Sequence, residues 1–199
     1  MNVIIIGAGS TASNVVEILR QNRVFEVVGL IDISMSDKEI DGIKVIGTHS
    51  ILSDLYGKDG IVNVIIAIGD NLIREKHFFK LRQIGYNFVN AIHNSAIISE
   101  NVKLGEGVII EAGVIIERDA VIGDNVYISS GTMIKTKAAI GNNVYLGPGV
   151  IVDGETIIKK NCRINGRAYI TNRAVVGKNA VVPVGKIIEK NIKDISRKE

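Results

Sequence analysis

The sequence predicts a small α/β domain followed by a solenoid of short parallel strands. The opening MNVIIIGAGSTASNVVEIL reads as a buried strand, a glycine turn and an amphipathic helix. A second strand-to-helix junction follows at IVNVIIAIGDNLIREK. From Ile92 to Val181 every sixth residue is Ile, Leu or Val, a period that neither a helix nor an isolated sheet produces.

The first junction carries the pattern GxGxxA at Gly7, Gly9 and Ala12. Such a Rossmann-like turn presents backbone N–H groups at a helix N-terminus to a phosphate, with Ser10 beside them. Asp32 ends the next strand, VVGLID, where a carboxylate reaches a ribose hydroxyl. It is expected to bind ligand without contributing to stability. At the second junction Gly69 lets backbone approach a ligand, while Asp70 or Asn71 caps the helix, so all three join the candidate binding residues. Residues 1–91 suit a three- or four-stranded parallel sheet better than two mononucleotide halves. A nucleotide or nucleotide-sugar therefore fits better than a nicotinamide dinucleotide. His77, in REKHFFKLRQ, reads as a helix-surface residue, and His49, in GTHSIL, as a cap or loop residue.

The second domain is assigned to residues 92–182. Residues 92–181 divide into 15 hexads, with a large aliphatic at the first position and Ala, Val, Thr or Cys at the fifth. Both positions face inward in a coil of three hexads, so residues 18 apart stack on successive coils. Coils paired through their backbones lie about 4.8 Å apart. Cys162 falls at a fifth position, which makes it a packing residue. The tail, 183–199, leaves the pattern. Its Ile188, Ile192 and Ile195 suggest a short amphipathic element covering the end of the last coil.

Composition excludes several classes of function. No apolar run reaches the roughly 20 residues that span a bilayer, and no basic leader precedes an apolar segment, so a cytoplasmic location is expected. A net charge of +3, no Trp, five Tyr and four Phe give little support to nucleic-acid binding. Charge is uneven along the chain: residues 92–133 hold two basic and six acidic side chains, and 134–182 hold eight and two. The late coils attract anions.

The motifs GAGSTA, IAIGDNLIREK and NAIHNSAIIS, followed by uninterrupted hexads, resemble the sugar acyltransferases of the sialic-acid O-acetyltransferase and bacillosamine or perosamine N-acetyltransferase type. The resemblance covers nearly the whole chain. It implies a nucleotide-sugar-binding α/β domain, a left-handed parallel β-helix, a homotrimer, and acetyl-CoA bound between neighbouring helices. It further implies acetyl transfer to an amino sugar in glycan biosynthesis.

The family's catalytic unit resembles VDHDC followed by IGDFVHIAPG, which aligns with IKTKA and IGNNVYLGPG. Thr136 then stands where the histidine would be, Lys137 where its carboxylate partner would be, and Tyr145 replaces a second histidine. For the cofactor groove the resemblance points to Gly147 and Gly149. Arg163, Arg167 and Arg173 occupy places where the family has small residues, and they are candidates for holding CoA phosphates.

Column reading offers these side chains a structural role as well. Asp119, Lys137, Glu155 and Arg173 form one column, Glu117, Lys135 and Asp153 a second, and Tyr127, Tyr145 and Arg163 a third. The first two alternate in sign; the third stacks rings beneath a guanidinium. Three functions follow: a transferase that positions its substrates without a base, a non-catalytic sugar-nucleotide-binding or partner subunit, or a nicotinamide-dependent enzyme built on the GxGxxA turn, for which the sequence offers neither a second half-domain nor a catalytic pair.

Overall fold

The computed structural model describes residues 1–33 and 39–196. Two compact units divide the chain, residues 1–94 and 95–199.

In the first unit, β1 (Asn2–Ile6), β2 (Glu26–Ile31), β3 (Glu39–Ile40), β4 (Ile43–Gly47), β5 (Asn63–Ile66) and β6 (Asn87–Phe88) form one sheet of order β3-β4-β2-β1-β5-β6. All neighbours run parallel except the β3–β4 hairpin. The sheet is thus larger than the three or four strands expected. Two of the extra strands, β3 and β6, have two residues each, too few for a hydrophobic period to register.

Helix α1 (Ser10–Gln21) buries Ala12, Val15, Val16, Ile18 and Leu19, the i, i+3, i+4 stripe expected of an amphipathic helix. Helix α2 (Leu52–Leu55) is a single turn. Helix α3 (Asn71–Ile84) starts at Asp70, whose carboxylate accepts from the Leu72 and Ile73 N–H groups at 2.9 Å each, and stops at Gly85 in the left-handed region. Phe78 and Leu81 of α3 close the core over Ile4, Ile6, Val64, Ile66 and Phe88.

The second unit is a parallel β-helix. Two-residue strands stack in register every 18 residues, as in Ile115↔Met133, Val121↔Ala139 and Tyr127↔Tyr145. Backbone pairing repeats with the same period, for instance Tyr127 N–H to Val144 O at 2.9 Å and Tyr145 N–H to Cys162 O at 3.0 Å. Aliphatic first positions from Ile110 to Val182 are buried, as are fifth positions from Val108 to Ala180. Cys162 is among them; its Sγ–H donates to Gly177 O at 2.9 Å, and burial pushes the thiol up to about 11.

The hexad pattern runs one unit past Val182. Ile187–Ile188 pairs with Tyr169–Ile170, and Ile188 takes an inward first position although Pro183 interrupts the sequence signal. The remaining tail bridges Val176 to Ile192 as extended chain, and Lys159 Nζ meets Asp194 Oδ1 at 2.9 Å.

Position four of the hexad has a requirement of its own. Asn101, Asp119, Asn125, Lys137, Asn143, Glu155, Asn161, Arg167, Arg173 and Asn179 all have φ between 50° and 70°. Position four is therefore left-handed from Asn101 onward, a conformation that Asn and Asp tolerate and longer side chains resist. We expect Arg167→Gly to stabilise the protein by about 0.5–1 kcal/mol, read as a rise in the denaturation midpoint.

Candidate functional site

The first unit holds a cleft of about 420 Å³. One side is the β1–α1 turn, Gly7 to Thr11; the end of β2 adds Asp32 and Ile33, and the β5–α3 turn adds Ala67 to Gly69. Gly7 adopts φ +107°, and a Cβ there would lie 2.7 Å from Ala67 O, so both backbone twist and close approach require glycine. Gly9 begins α1 with open space around it, and no side chain caps the helix. The Ala12 N–H donates to Gly9 O at 2.9 Å, whereas the N–H groups of Ser10 and Thr11 at the first two helical positions have no intrahelical acceptor, which suits an anion.

Of the residues singled out by sequence, Gly7, Gly9, Ser10, Asp32 and Gly69 line this cleft. Asp70 and Asn71 are absent from the lining. The Asp70 carboxylate is committed to capping α3, and Asn71 is buried at the start of that helix.

Asp32 also departs from its expected role. Its Oδ2 accepts from the Ala8 N–H at 2.8 Å and so braces the glycine turn. Asp32→Ala should therefore lower stability, by about 1.5–3 kcal/mol for a charged hydrogen bond, as well as weaken ligand binding. An unchanged thermal midpoint would show the brace to be dispensable.

Two residues read as incidental, His49 and His77, complete the wall. Their rings stack with centroids 4.1 Å apart and planes 20° apart. His49 comes from the turn after β4 and His77 from α3. Burial, reinforced by His49 and Lys80, depresses His77 to about 4. Burial lowers His49 too, Asp32 opposing and Lys80 reinforcing the shift. No sequence signal joins residues 28 apart across a sheet edge. Because the unfolded chain binds protons on these rings below about pH 6.5 and the folded chain resists doing so, stability should fall as pH drops from 6.5 towards 4. Thermal melts at pH 7.5 and 5 test the direction.

The second unit has a cleft of about 490 Å³ lined by Ser99, Glu100, Asn101, Glu117, Arg118 and Thr136. Thr136 donates its hydroxyl to Glu117 Oε2 at 2.9 Å and its N–H to the same oxygen at 3.0 Å. Lys135 Nζ lies 2.5 Å from Glu117 Oε1. Lys135 first, then Thr136, holds the Glu117 carboxyl below its usual range.

An equivalent clamp occurs one hexad earlier. Ser130 donates its N–H and its hydroxyl to Glu111 Oε2 at 2.9 Å each, and Tyr127 donates to Glu111 Oε1 at 2.5 Å. A carboxylate gripping the hydroxyl residue 19 positions later is thus a repeated coil-to-coil tie.

The remaining candidates have structural partners. Tyr145 meets the Tyr127 ring edge-on at 5.3 Å and carries the Arg163 guanidinium 4.2 Å over its own ring. Arg173 pairs with Glu155 at 3.0 Å. Among the described residues Lys137 closes no ion pair with Asp119 or Glu155, although behind Arg173 its charge also helps hold the Glu155 carboxyl below its usual range. Gly147 is a packing glycine, since a Cβ there would lie 2.6 Å from Gly166 N. Gly149 and Arg167 occupy neighbouring left-handed corners, with Arg167 exposed.

Among the described residues, no helix is long and apolar enough to cross a membrane, and no group of His, Cys, Asp and Glu suits a metal ion.

The family model of the PglD N-terminal domain matches residues 2–81, and that of the bacterial transferase hexapeptide (six repeats) matches 119–154. A search of curated proteins gives no match. Among solved structures, a histidine-to-asparagine variant of perosamine N-acetyltransferase from Caulobacter crescentus, in complex with CoA and GDP-perosamine, is 32% identical. The match covers 98% of this chain and 91% of that one, at TM-score 0.92. The acetyltransferase domain of PglB from Neisseria gonorrhoeae shares the fold at 23% identity over 97% and 93% of the two chains, TM-score 0.92. WeeI from Acinetobacter baumannii shares it at 22% over 98% and 94%, TM-score 0.78. With a glycine-turn cleft in one unit, hexapeptide coils in the other, and identity to perosamine N-acetyltransferase sustained along nearly its whole length, the chain belongs to the hexapeptide-repeat sugar acetyltransferase family.

Proposed function

We propose that this chain transfers an acetyl group from acetyl-CoA to the amino group of a nucleotide-activated sugar, and that it does so by positioning rather than by base catalysis. The observation that carries the reading is the 32% identity over 98% of the chain to an N-acetyltransferase bound to CoA and GDP-perosamine. The nucleotide-sugar is assigned to the cleft of Gly7, Gly9, Ser10, Asp32 and Gly69. The CoA phosphates are assigned to the basic late coils, where Arg167 is exposed and Arg163 and Arg173 already hold partners.

The three histidines of the chain are His49, His77 and His93; His93 falls in the first hexad, and no hexad from Ile98 onward contains a histidine. In the transfer, the sugar amine attacks the thioester carbonyl, a C–N bond forms, the C–S bond breaks and thiolate leaves. The proton shed by nitrogen passes to water. A general base typically contributes about 100- to 10,000-fold, so its loss slows this reaction without abolishing it.

The working assembly is a trimer. Ile97, Ile115, Met133, Ile151, Tyr169 and Ile187 stand in register on the outside of one coil face. Ile97 is 61% exposed and Ile187 54%, an outward apolar stripe that favours burial against another copy. A monomer at micromolar concentration in sedimentation equilibrium would remove the shared groove and the CoA assignment with it.

The alternative is a non-catalytic nucleotide-sugar-binding subunit. The repeated Glu–hydroxyl tie favours it, because it gives Thr136 a complete structural role. Calorimetric titration with acetyl-CoA and a panel of UDP- and GDP-sugars, followed by a thiol-release assay on the best amino-sugar ligand, separates the two. Binding of both substrates with measurable thiol release supports the transferase. Sugar-nucleotide binding without acetyl-CoA binding overturns it in favour of the subunit.

A further inference from the structure

We propose that the stacked His49–His77 pair takes up one proton when a nucleotide-sugar enters the N-terminal cleft, so that this site tightens as the pH falls. The proposal rests on the nucleotide-sugar reading of the cleft and adds its regulation. Three observations support it. Both rings line the same cleft as the glycine turn, so a diphosphate lodged there brings negative charge close to them. His49 Nε2 is buried with no hydrogen-bond partner among the described residues, an unmet demand that a ligand oxygen satisfies. The centroids lie 4.1 Å apart, close enough that two imidazolium rings would repel strongly. The pair therefore accepts one proton and not two.

The surrounding charges set the direction. Asp32, at the end of β2, favours the charged form of His49. Lys80, one turn beyond His77 on α3, opposes charge on both rings. In the free protein burial prevails, and both rings stay neutral near pH 7. An anion adds the attraction that burial removed, raising the pair's pKa in the complex above its value in the free protein. Between those two values each bound ligand carries up to one proton with it, and affinity must fall as pH rises.

GDP-mannose and UDP-N-acetylglucosamine serve as probes because their diphosphate diesters have no ionisation near neutrality. Calorimetry on the full chain at pH 6, in buffers of different ionisation enthalpy, gives the proton count directly. We expect uptake approaching one proton and a Kd about three- to tenfold lower at pH 6 than at pH 8. The paired substitution His49→Gln with His77→Gln should bring uptake to zero and flatten the pH dependence, with circular dichroism confirming the fold. Binding by the unaltered protein without proton uptake overturns the proposal alone and makes the two rings a passive wall. Failure of every nucleotide-sugar to bind at either pH overturns the nucleotide-sugar reading of the cleft as well.

Discussion

Thr136→His combined with Lys137→Asp is expected to raise acetyl transfer to an amino-sugar acceptor by about 100- to 10,000-fold, measured as release of the CoA thiol. A threonine hydroxyl is not a general base, and a lysine is not the carboxylate that orients one. The Thr136 hydroxyl is directed onto Glu117, in the tie that Ser130 repeats on Glu111. Glu117 is itself a poor base, since Lys135 and Thr136 both stabilise its carboxylate. The introduced histidine supplies a proton acceptor, and the introduced aspartate is placed to orient it.

The two substitutions act oppositely on stability. Losing the Thr136 hydroxyl bond costs stability, and an aspartate in the column of Asp119 and Glu155 adds like charge. Against this, position 137 has φ +60°, which aspartate adopts more readily than lysine. Thr136→Ala in the native background should leave residual turnover nearly unchanged. A large loss there would make Thr136 a catalytic residue. No gain in the double variant, with acetyl-CoA binding intact, would mean that this corner is not where transfer occurs.

The coil domain was legible because its period is redundant: first and fifth hexad positions repeat through fifteen units, and the 18-residue stacking follows from them. Tyr127, Tyr145 and Arg163 are neighbours as their spacing implies, with the guanidinium over the Tyr145 ring, but the two tyrosine rings meet edge-on rather than stacked. The charge columns were legible only in part. Spacing gives adjacency but not side-chain geometry: Lys137, at a left-handed corner, closes no ion pair with either expected partner among the described residues, although its charge still acts on Glu155. In the first unit the glycine turns and Asp32 announced a cleft, whereas the His49–His77 wall did not. It depends on how the turn after β4 meets α3, a tertiary contact between segments with no shared local pattern. Asp70 was legible as a cap of α3, and because the residue type that caps a helix also binds hydroxyls, sequence alone does not separate the two roles.

Asn143→Ala is expected to cost about 3–5 kcal/mol of unfolding free energy, among the larger effects open to a single substitution. Asn125, Asn143 and Asn161 form a buried column at successive corners. Asn125 Nδ2 donates to Asn143 Oδ1 at 2.8 Å, and Asn143 Nδ2 donates to Asn161 Oδ1 at 2.8 Å. Alanine removes an acceptor from one neighbour and a donor from the other, at about 1–3 kcal/mol for each buried group left unpaired. It also places a β-carbon residue at φ +59° without the local hydrogen bonding that lets asparagine tolerate this region. Asn143→Asp separates the contributions: it keeps the acceptor for Asn125 but turns a carboxylate towards the Asn161 oxygen. A loss of similar size in the aspartate variant would assign most of the cost to the bond with Asn161. Chemical denaturation gives the measurement, and a loss below about 1 kcal/mol for alanine would mean that the column is not a principal tie between coils.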